Sequence, residues 1–226
     1  MSVAASSRQQ ILNRIGAATR NVVGTAEQAA ASYANLPRDY IRRGALSAES
    51  RIDLMLERLR EYDAEVAECA PDALPAAIAA HLRASGRHRF VAPPGLPTGW
   101  LAPEFGWKID RDLTTVEIEQ AEGVVTTCFC AIADSGTIVL HHSASEGRRV
   151  LSLLPDWHLC ILRASQIVET LPEYFSLCQQ VPALVTWISG PSATADIEMT
   201  RIKGVHGPRF LSVILVRDQI ADARSN

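Results

Sequence analysis

Apolar residues in the first part of the chain recur every three or four positions, the spacing that places them on one face of a helix. The first series follows Ser6 and Gln9, which have the spacing of a capping box at a helix N-terminus. The two series are Ile11, Leu12, Ile15, Ala18 and Val22, and then Ile52, Met55, Leu56 and Leu59. The pattern therefore predicts an N-terminal helical segment, which we assign to residues 1–60.

The pattern changes after position 60, where short apolar runs such as RFVA, HLCIL and RFLSVILV alternate with helical stretches. Strands of this length between helices are typical of a parallel or mixed sheet covered on both faces. The runs VVTTCFCAIA and TIVLHH flank a tight turn in which Gly136 can adopt positive φ, and this predicts a β-hairpin. We therefore predict an α/β domain over residues 61–226, with a Rossmann-like mixed sheet and helices on both faces.

Composition and charge exclude several classes of function. Hydrophobic residues make up 47% of the 226 positions, which is enough for a folded core. The 22 basic and 25 acidic residues give a net charge of −3, so the chain lacks the excess positive charge that binds nucleic acid regardless of sequence. Apolar runs stay shorter than the roughly 18 residues of a membrane span, and the polar start differs from a signal peptide. We expect a cytoplasmic protein.

The cysteines and glycines give no sign of a metal or a redox cofactor in this chain. The five cysteines form no CxxC pair, so their spacing predicts neither a disulfide framework nor a zinc or iron–sulfur ligand set. The glycine-rich fingerprints GxGxxG and GxxxxGK[ST] of nicotinamide, flavin and nucleotide sites are also missing. We therefore expect no metal and no cofactor of its own.

The stretch Ser189–Glu198 follows a predicted strand and enters a predicted helix over residues 193–203. A helix N-terminus presents unpaired N–H groups and the positive end of the helix dipole, and neighbouring hydroxyl groups add donors. Outside the carboxyl ends of the sheet strands, such a loop predicts an anion site. Its binding positions are Ser189, Gly190, Ser192 and Thr194. Plain helix capping explains the same residues, and the carboxylates of Asp196 and Glu198 repel anions, so both interpretations stay open.

The stretch Gly204–Arg209, GVHGPR, places His206 and Arg209 among two glycines and a proline. A charge-assisted hydrogen bond from such a side chain to a carboxylate contributes about 1.5–3 kcal/mol before desolvation. If this stretch meets the Ser189 loop in space, the two form one pocket for a small carboxylate or phosphate. The alternative is a C-cap turn with a surface histidine and a structural arginine.

The predicted hairpin turn adds further candidates. Asp134 is typical of a turn residue that accepts backbone hydrogen bonds, and it is also a candidate catalytic base, as is His206. Gly136 and Thr137 of the turn are candidate ligand-binding positions. Arg149, at a predicted helix start, can reach an anion and joins that set.

Four stretches together resemble the lactate-utilisation protein C family, also called the LUD-domain family. They are IADSGTIVL, RRVLSLLPDWH, SGPSATADIE and GVHGPR, in the family's order within roughly residues 88–217. The resemblance implies a fold like that of the NagB/RpiA/CoA-transferase-like proteins. Many relatives have Glu-Thr-Gly-Thr in the hairpin, where this chain has a shorter acid, Asp134, with the same turn chemistry.

The resemblance also implies a part in the oxidation of L-lactate to pyruvate, alongside iron–sulfur partner proteins. Removing two electrons from lactate requires an acceptor, and this chain shows no motif for one. We therefore expect it to bind or organise, as a possible subunit of an L-lactate dehydrogenase complex. Its expected partners are the iron–sulfur proteins and a small carboxylate or phosphate, without nucleic acid.

Two other classes of function remain open from the sequence. One is a stand-alone enzyme on a sugar-phosphate-isomerase-like or acyl/CoA-transferase-like scaffold, with Asp134 or His206 as base. The other is a structural adaptor that has no ligand pocket.

Overall fold

The structure is a computed structural model, and it describes residues 6–19, 25–180, 182–194, 202–203 and 207–219. The chain divides into two compact units, residues 1–40 and residues 41–226. Among the described residues, the helices are too short or too polar to cross a membrane.

The first unit contains helices α1 (Ser7–Thr19) and α2 (Ala26–Ala34). The helix predicted after Ser6 is confirmed as far as Thr19, whereas Val22 of the predicted series lies outside the described residues. The Gln9 N–H donates to the Ser6 hydroxyl at 3.4 Å. Thr25 and Gln28 form a complete capping box at the start of α2. Side-chain capping therefore defines where both helices begin.

The second unit alternates helices with short strands, as the apolar pattern predicts. Its helices are α3 (Ala48–Glu61), α4 (Leu74–Ala84), α5 (Thr115–Glu119) and α6 (Leu171–Leu177). Its strands are β1 (Glu65–Cys69), β2 (Arg89–Ala92), β3 (Gly106–Ile109), β4 (Gly123–Thr127), β5 (Cys130–Ile132), β6 (Thr137–Leu140), β7 (Trp157–Arg163), β8 (Ile167–Val168), β9 (Thr186–Ile188), β10 (Ala193–Thr194), β11 (Ile202–Lys203) and β12 (Phe210–Val216). Short 3₁₀ helices occupy Pro71–Ala73, Thr98–Trp100, Arg149–Ser152 and Ala164–Gln166.

The central sheet has six strands in the order β1-β12-β7-β4-β2-β3, and every neighbouring pair is parallel. Side chains alternate between its two faces along each strand. Leu159 and Ile161 of β7 pack on the α4 side, whereas Cys160 and Leu162 pack on the α3 side. Helices cover both faces, so the predicted α/β class is confirmed.

Helix α3 buries the face that the sequence pattern marked. Ile52, Met55, Leu56 and Leu59 pack against the central sheet and the second sheet in one apolar cluster. Burying a side chain of this kind stabilises a fold by roughly 1.5–3 kcal/mol. Helix α3 is thus part of the core of the second unit, while the boundary that we place at residues 60/61 stays a prediction.

A second sheet of four strands, in the order β8-β5-β6-β9, packs on the α3 side. Strands β5 and β6 form the predicted antiparallel hairpin, and Gly136 in its turn has φ +61°. The run VVTTCFCAIA is two strands rather than one, because the chain passes from the central sheet to the second sheet between Thr127 and Cys130.

The helix predicted over residues 193–203 is wrong at both ends. Ala193 and Thr194 pair antiparallel with Lys203 and Ile202 instead. Thr194 and Ile202 are β-branched residues, whose restricted χ1 favours strands over helices. Residues 195–201 lie outside the described part of the chain.

Candidate functional site

The Ser189 loop and the loop before β12 lie side by side. The backbone N–H of Ser192 donates to the carbonyl oxygen of Pro208 at 2.8 Å. A Cβ atom built on Gly207 lies 3.4 Å from the Cβ of Ser192. The structure therefore brings together two of the stretches that the sequence singles out.

A cavity of about 260 Å³ opens where these loops meet. Ser189, Gly190 and Ser192 line one side, Gly207 and Pro208 line another, and His158 lies among the lining residues. Ligand pockets for drug-sized molecules measure roughly 300–1,000 Å³, so this cavity suits a smaller molecule.

The cavity lies at the amino ends of β7 and β12, because His158 is the second residue of β7 and Pro208 precedes Phe210 of β12. The prediction that the loop lies outside the carboxyl ends of the parallel strands is therefore wrong. The loop does follow the end of β9, but β9 belongs to the second sheet, where it pairs antiparallel with β6.

Three hydroxyl groups connect the hairpin turn to the Ser189 loop. Thr137 Oγ1 lies 2.8 Å from both Ser135 Oγ and Ser189 Oγ. The pairing of Ile138 with Ile188 sets this register, because it places Thr137 beside Ser189 at the end of the ladder. Thr137 is 6% exposed, so its hydroxyl group fixes the Ser189 side chain from the protein interior.

The C-terminal end of helix α3 and Tyr62, the residue that follows it, lie against two glycine turns. Gly190 has φ +80°, and a Cβ atom there would lie 2.6 Å from Tyr62 Cβ. Gly136 has φ +61°, and a Cβ atom there would lie 2.6 Å from Arg58 Cβ. A glycine at each place permits both the left-handed backbone and the close approach to the helix.

His158 is the functional candidate that sequence reasoning missed. Its side chain is 1% exposed, and its Nε2 lies 2.8 Å from Thr126 Oγ1. Burial lowers its pKa to about 4, so the imidazole is neutral at neutral pH. The available signal was a histidine at the start of an apolar strand, within the stretch RRVLSLLPDWH.

Arg209 lies in an ion pair at the surface. Its Nε and Nη2 donate to the two carboxylate oxygens of Asp156 at 2.5 and 2.9 Å. These hydrogen bonds raise the pKa of the guanidinium above its ordinary value. Part of the arginine's donor capacity is therefore already used before any ligand binds.

The remaining residues that the sequence predicts for the site lie at different places relative to the cavity. Asp134 is exposed in the hairpin turn, where its N–H donates to the Glu169 carbonyl at 3.0 Å. Arg149 is exposed in its 3₁₀ helix, although Ser152 of that helix lines the cavity. Neither Asp134 nor Arg149 belongs to the described lining. His206 and the side chain of Thr194 lie outside the described part of the chain.

The described lining of the cavity contains hydroxyl groups, backbone amides and one imidazole, and it carries no Asp, Glu, Lys or Arg side chain. Groups of these kinds can form hydrogen bonds with a small polar molecule, and a neutral histidine offers one donor and one acceptor. In the described ranges, no three His, Cys, Asp or Glu side chains cluster as a metal site requires.

Comparison with known proteins places the chain in a family. The sequence model of the LUD domain matches residues 52–216. Lactate utilization protein C of Deinococcus radiodurans is 43% identical over 169 residues, which are 71% of this chain and 76% of that protein. Lactate utilization protein C of Bacillus subtilis is 37% identical over 125 residues, or 52% of each chain.

A solved structure agrees with these matches. The crystal structure of a DUF162 family protein from Deinococcus radiodurans superposes with a TM-score of 0.64 at 36% identity, covering 76% of this chain and 99% of that one. The sequence match and the shared fold lead to the same assignment: this chain belongs to the LUD domain family.

Proposed function

We propose that this chain takes part in lactate utilization by binding a small carboxylate between the Ser189 loop and the Gly207 loop. The contact of Ser192 with Pro208 supports the proposal most directly, because it brings two motifs that are separate in sequence to the lining of one cavity. Relatives that carry the same family domain are named lactate utilization protein C.

The hydrogen-bonding groups of the cavity fit the two parts of a hydroxy acid or keto acid. The hydroxyl groups of Ser189 and Ser192 and the backbone N–H of Gly190 donate to a carboxylate, and the neutral imidazole of His158 pairs with the ligand's hydroxyl or carbonyl group. His206 and Arg209 remain candidates for supplying positive charge to the same ligand.

In this proposal the electrons of lactate oxidation are accepted by a partner protein and not by this chain. Two electrons leave the substrate, and we assign their acceptor to iron–sulfur partner proteins, with this chain binding and organising. Affinity capture of the tagged chain from its native host, followed by an absorption spectrum, tests the assignment. We expect co-eluting proteins with the broad visible absorption of iron–sulfur clusters. Full-rate lactate turnover by the purified chain with an artificial electron acceptor would contradict the subunit role.

A second candidate function rests on His158. A neutral histidine that lines the same cavity as Ser189 and Ser192 can accept a proton, which a stand-alone sugar-phosphate isomerase or acyl/CoA transferase needs. Asp134 and His206 remain the alternative bases for that chemistry. Turnover of a phosphorylated sugar or an acyl-CoA by the isolated chain, abolished in His158→Gln, would favour this candidate over the first.

A further inference from the structure

The carboxyl edge of the central sheet contains a crevice that the site above does not use. After β2 the chain turns to the α4 side, where Leu96 joins the apolar cluster of that helix. After β3, which pairs with β2, it turns to the opposite side, where Ile118 of α5 packs with Val91 of β2. Neighbouring strands whose connections leave toward opposite faces open a crevice at their carboxyl ends, and ligands of α/β sheets bind in such crevices.

A cavity of about 370 Å³ occupies this place. Pro94 follows β2, Asp110 and Arg111 follow β3, and His142 and Arg148 come from the segment after β6. The segment after β6 is fixed there, because the Gly95 N–H donates to the Ala144 carbonyl at 2.8 Å.

Arg148 is held in one orientation by a buried carboxylate. Asp110 is 5% exposed, and its Oδ2 and Oδ1 accept from Arg148 Nε and Nη2 at 2.8 and 2.6 Å. Nη2 also donates to the Leu113 carbonyl at 2.8 Å. The hydrogen bonds to Asp110 raise the pKa of the guanidinium, which stays charged. The described hydrogen bonds therefore use Nε and Nη2 and leave the Nη1 donors for a ligand.

Asp110 itself has little capacity left to bind a cation. Both of its oxygens accept from Arg148, and Oδ1 also accepts from the Leu113 N–H at 3.2 Å. The charged groups that remain in the lining are Arg111 and Asp112. His142 lines the cavity, but both of its ring nitrogens already have hydrogen-bond partners: Nδ1 lies 2.9 Å from Gly147 O and Nε2 lies 2.8 Å from Thr186 Oγ1.

We propose that this crevice binds an oxyanion, a carboxylate or a phosphate, through the Nη1 donors of Arg148 and the side chain of Arg111. Asp110 acts as a positioning residue, because it orients the guanidinium without touching the ligand. Asp112 favours oxyanions that also carry a hydroxyl group, since a hydroxyl group can donate to its carboxylate.

Backbone amide NMR of the full chain, titrated separately with inorganic phosphate and with acetate, tests the proposal. We expect saturable shifts at residues 110–113 and 142–148 with at least one probe, and the stronger probe identifies the preferred oxyanion. Arg148→Gln should weaken this binding about tenfold or more, as loss of a charge-assisted hydrogen bond does. Arg60→Gln removes the same charge from an exposed position on α3 and should leave the affinity unchanged.

Arg111→Gln provides a second variant, because Arg111 is exposed and its loss leaves the Asp110 pair intact. It should weaken binding even if Arg148→Gln fails to fold. Shifts confined to residues 189–193 and 207–211, or equal affinity in Arg111→Gln and Arg60→Gln, would overturn the crevice site and leave the proposed function standing. Shifts at the crevice alone would support the crevice and count against the first cavity.

Discussion

The imidazole Nε2 of His158 lies 2.8 Å from the hydroxyl oxygen of Thr126, and both side chains are buried in the central sheet. His158 also lines the cavity between the two motif loops. Its hydrogen bond thus connects the interior of the sheet with the lining of the cavity.

Stability should depend on pH through His158. Its folded pKa is about 4, below the ordinary value of 6.5, so the unfolded chain binds more protons between these values. The free energy of unfolding should therefore fall as pH drops from about 6.5 toward 4, by about 3 kcal/mol from this group. Urea unfolding at several pH values measures how the free energy of unfolding changes with pH. His158→Gln should reduce this pH dependence, whereas His88→Gln, at an exposed position, should leave it unchanged. The same pH dependence in both variants would contradict the prediction.

Thr126→Val should destabilise the fold by about 1–3 kcal/mol, because it leaves the buried Nε2 of His158 without its partner. Thr126→Ser retains the hydroxyl group and is the matched control. Chemical denaturation of the two variants gives the difference. Equal stability of Val and Ser at this position would show that the hydrogen bond contributes nothing.

Gly190→Ala should lower the free energy of unfolding by more than about 1 kcal/mol, because alanine is disfavoured at φ +80° and its Cβ would lie too close to Tyr62. The same change should weaken ligand binding by displacing the Ser189 loop. Gly99→Ala is the control, because the space around Gly99 is open within 4 Å and its φ is not positive. Thermal unfolding of both variants checks the prediction, and a Gly190→Ala protein as stable as Gly99→Ala would refute it.

The Arg209–Asp156 pair should matter more for binding than for stability. Its side chains are 56% and 36% exposed, and exposed ion pairs contribute little to stability because water and salt screen them. If Arg209 contacts the ligand, Asp156→Asn releases donors and should raise pyruvate affinity, whereas Arg209→Gln should lower it. Calorimetric titration of both variants measures this. Unchanged affinity in both would remove Arg209 from the binding residues.

Local patterns were sufficient for much of the fold. The period of Ile52, Met55 and Leu56 marks the buried face of α3, and Gly136 marks the hairpin turn, because both signals depend on residues a few positions apart. Residues 193–203 read as helical, since nothing local shows that Thr194 finds a strand partner at Ile202.

The site was harder to predict, because its geometry depends on contacts between distant parts of the chain. The two motif loops are recognisable as unusual, but their contact at Ser192 and Pro208 joins loops next to β9 and β12, which belong to different sheets, and no local pattern shows how those sheets pack. His158 could not be predicted as a site residue, because a histidine at the start of an apolar strand does not show which residues will surround it in the fold. Its hydrogen bond to Thr126 becomes visible only in the structure, where β4 lies beside β7.

Backbone amide hydrogen exchange of the purified full chain, with and without L-lactate or pyruvate, tests most directly whether the joined loops bind a small carboxylate. We predict slower exchange at residues 189–193 and 207–211 when either acid is present, and loss of that protection in His158→Gln. Unchanged exchange at both loops with saturating lactate and pyruvate would contradict it.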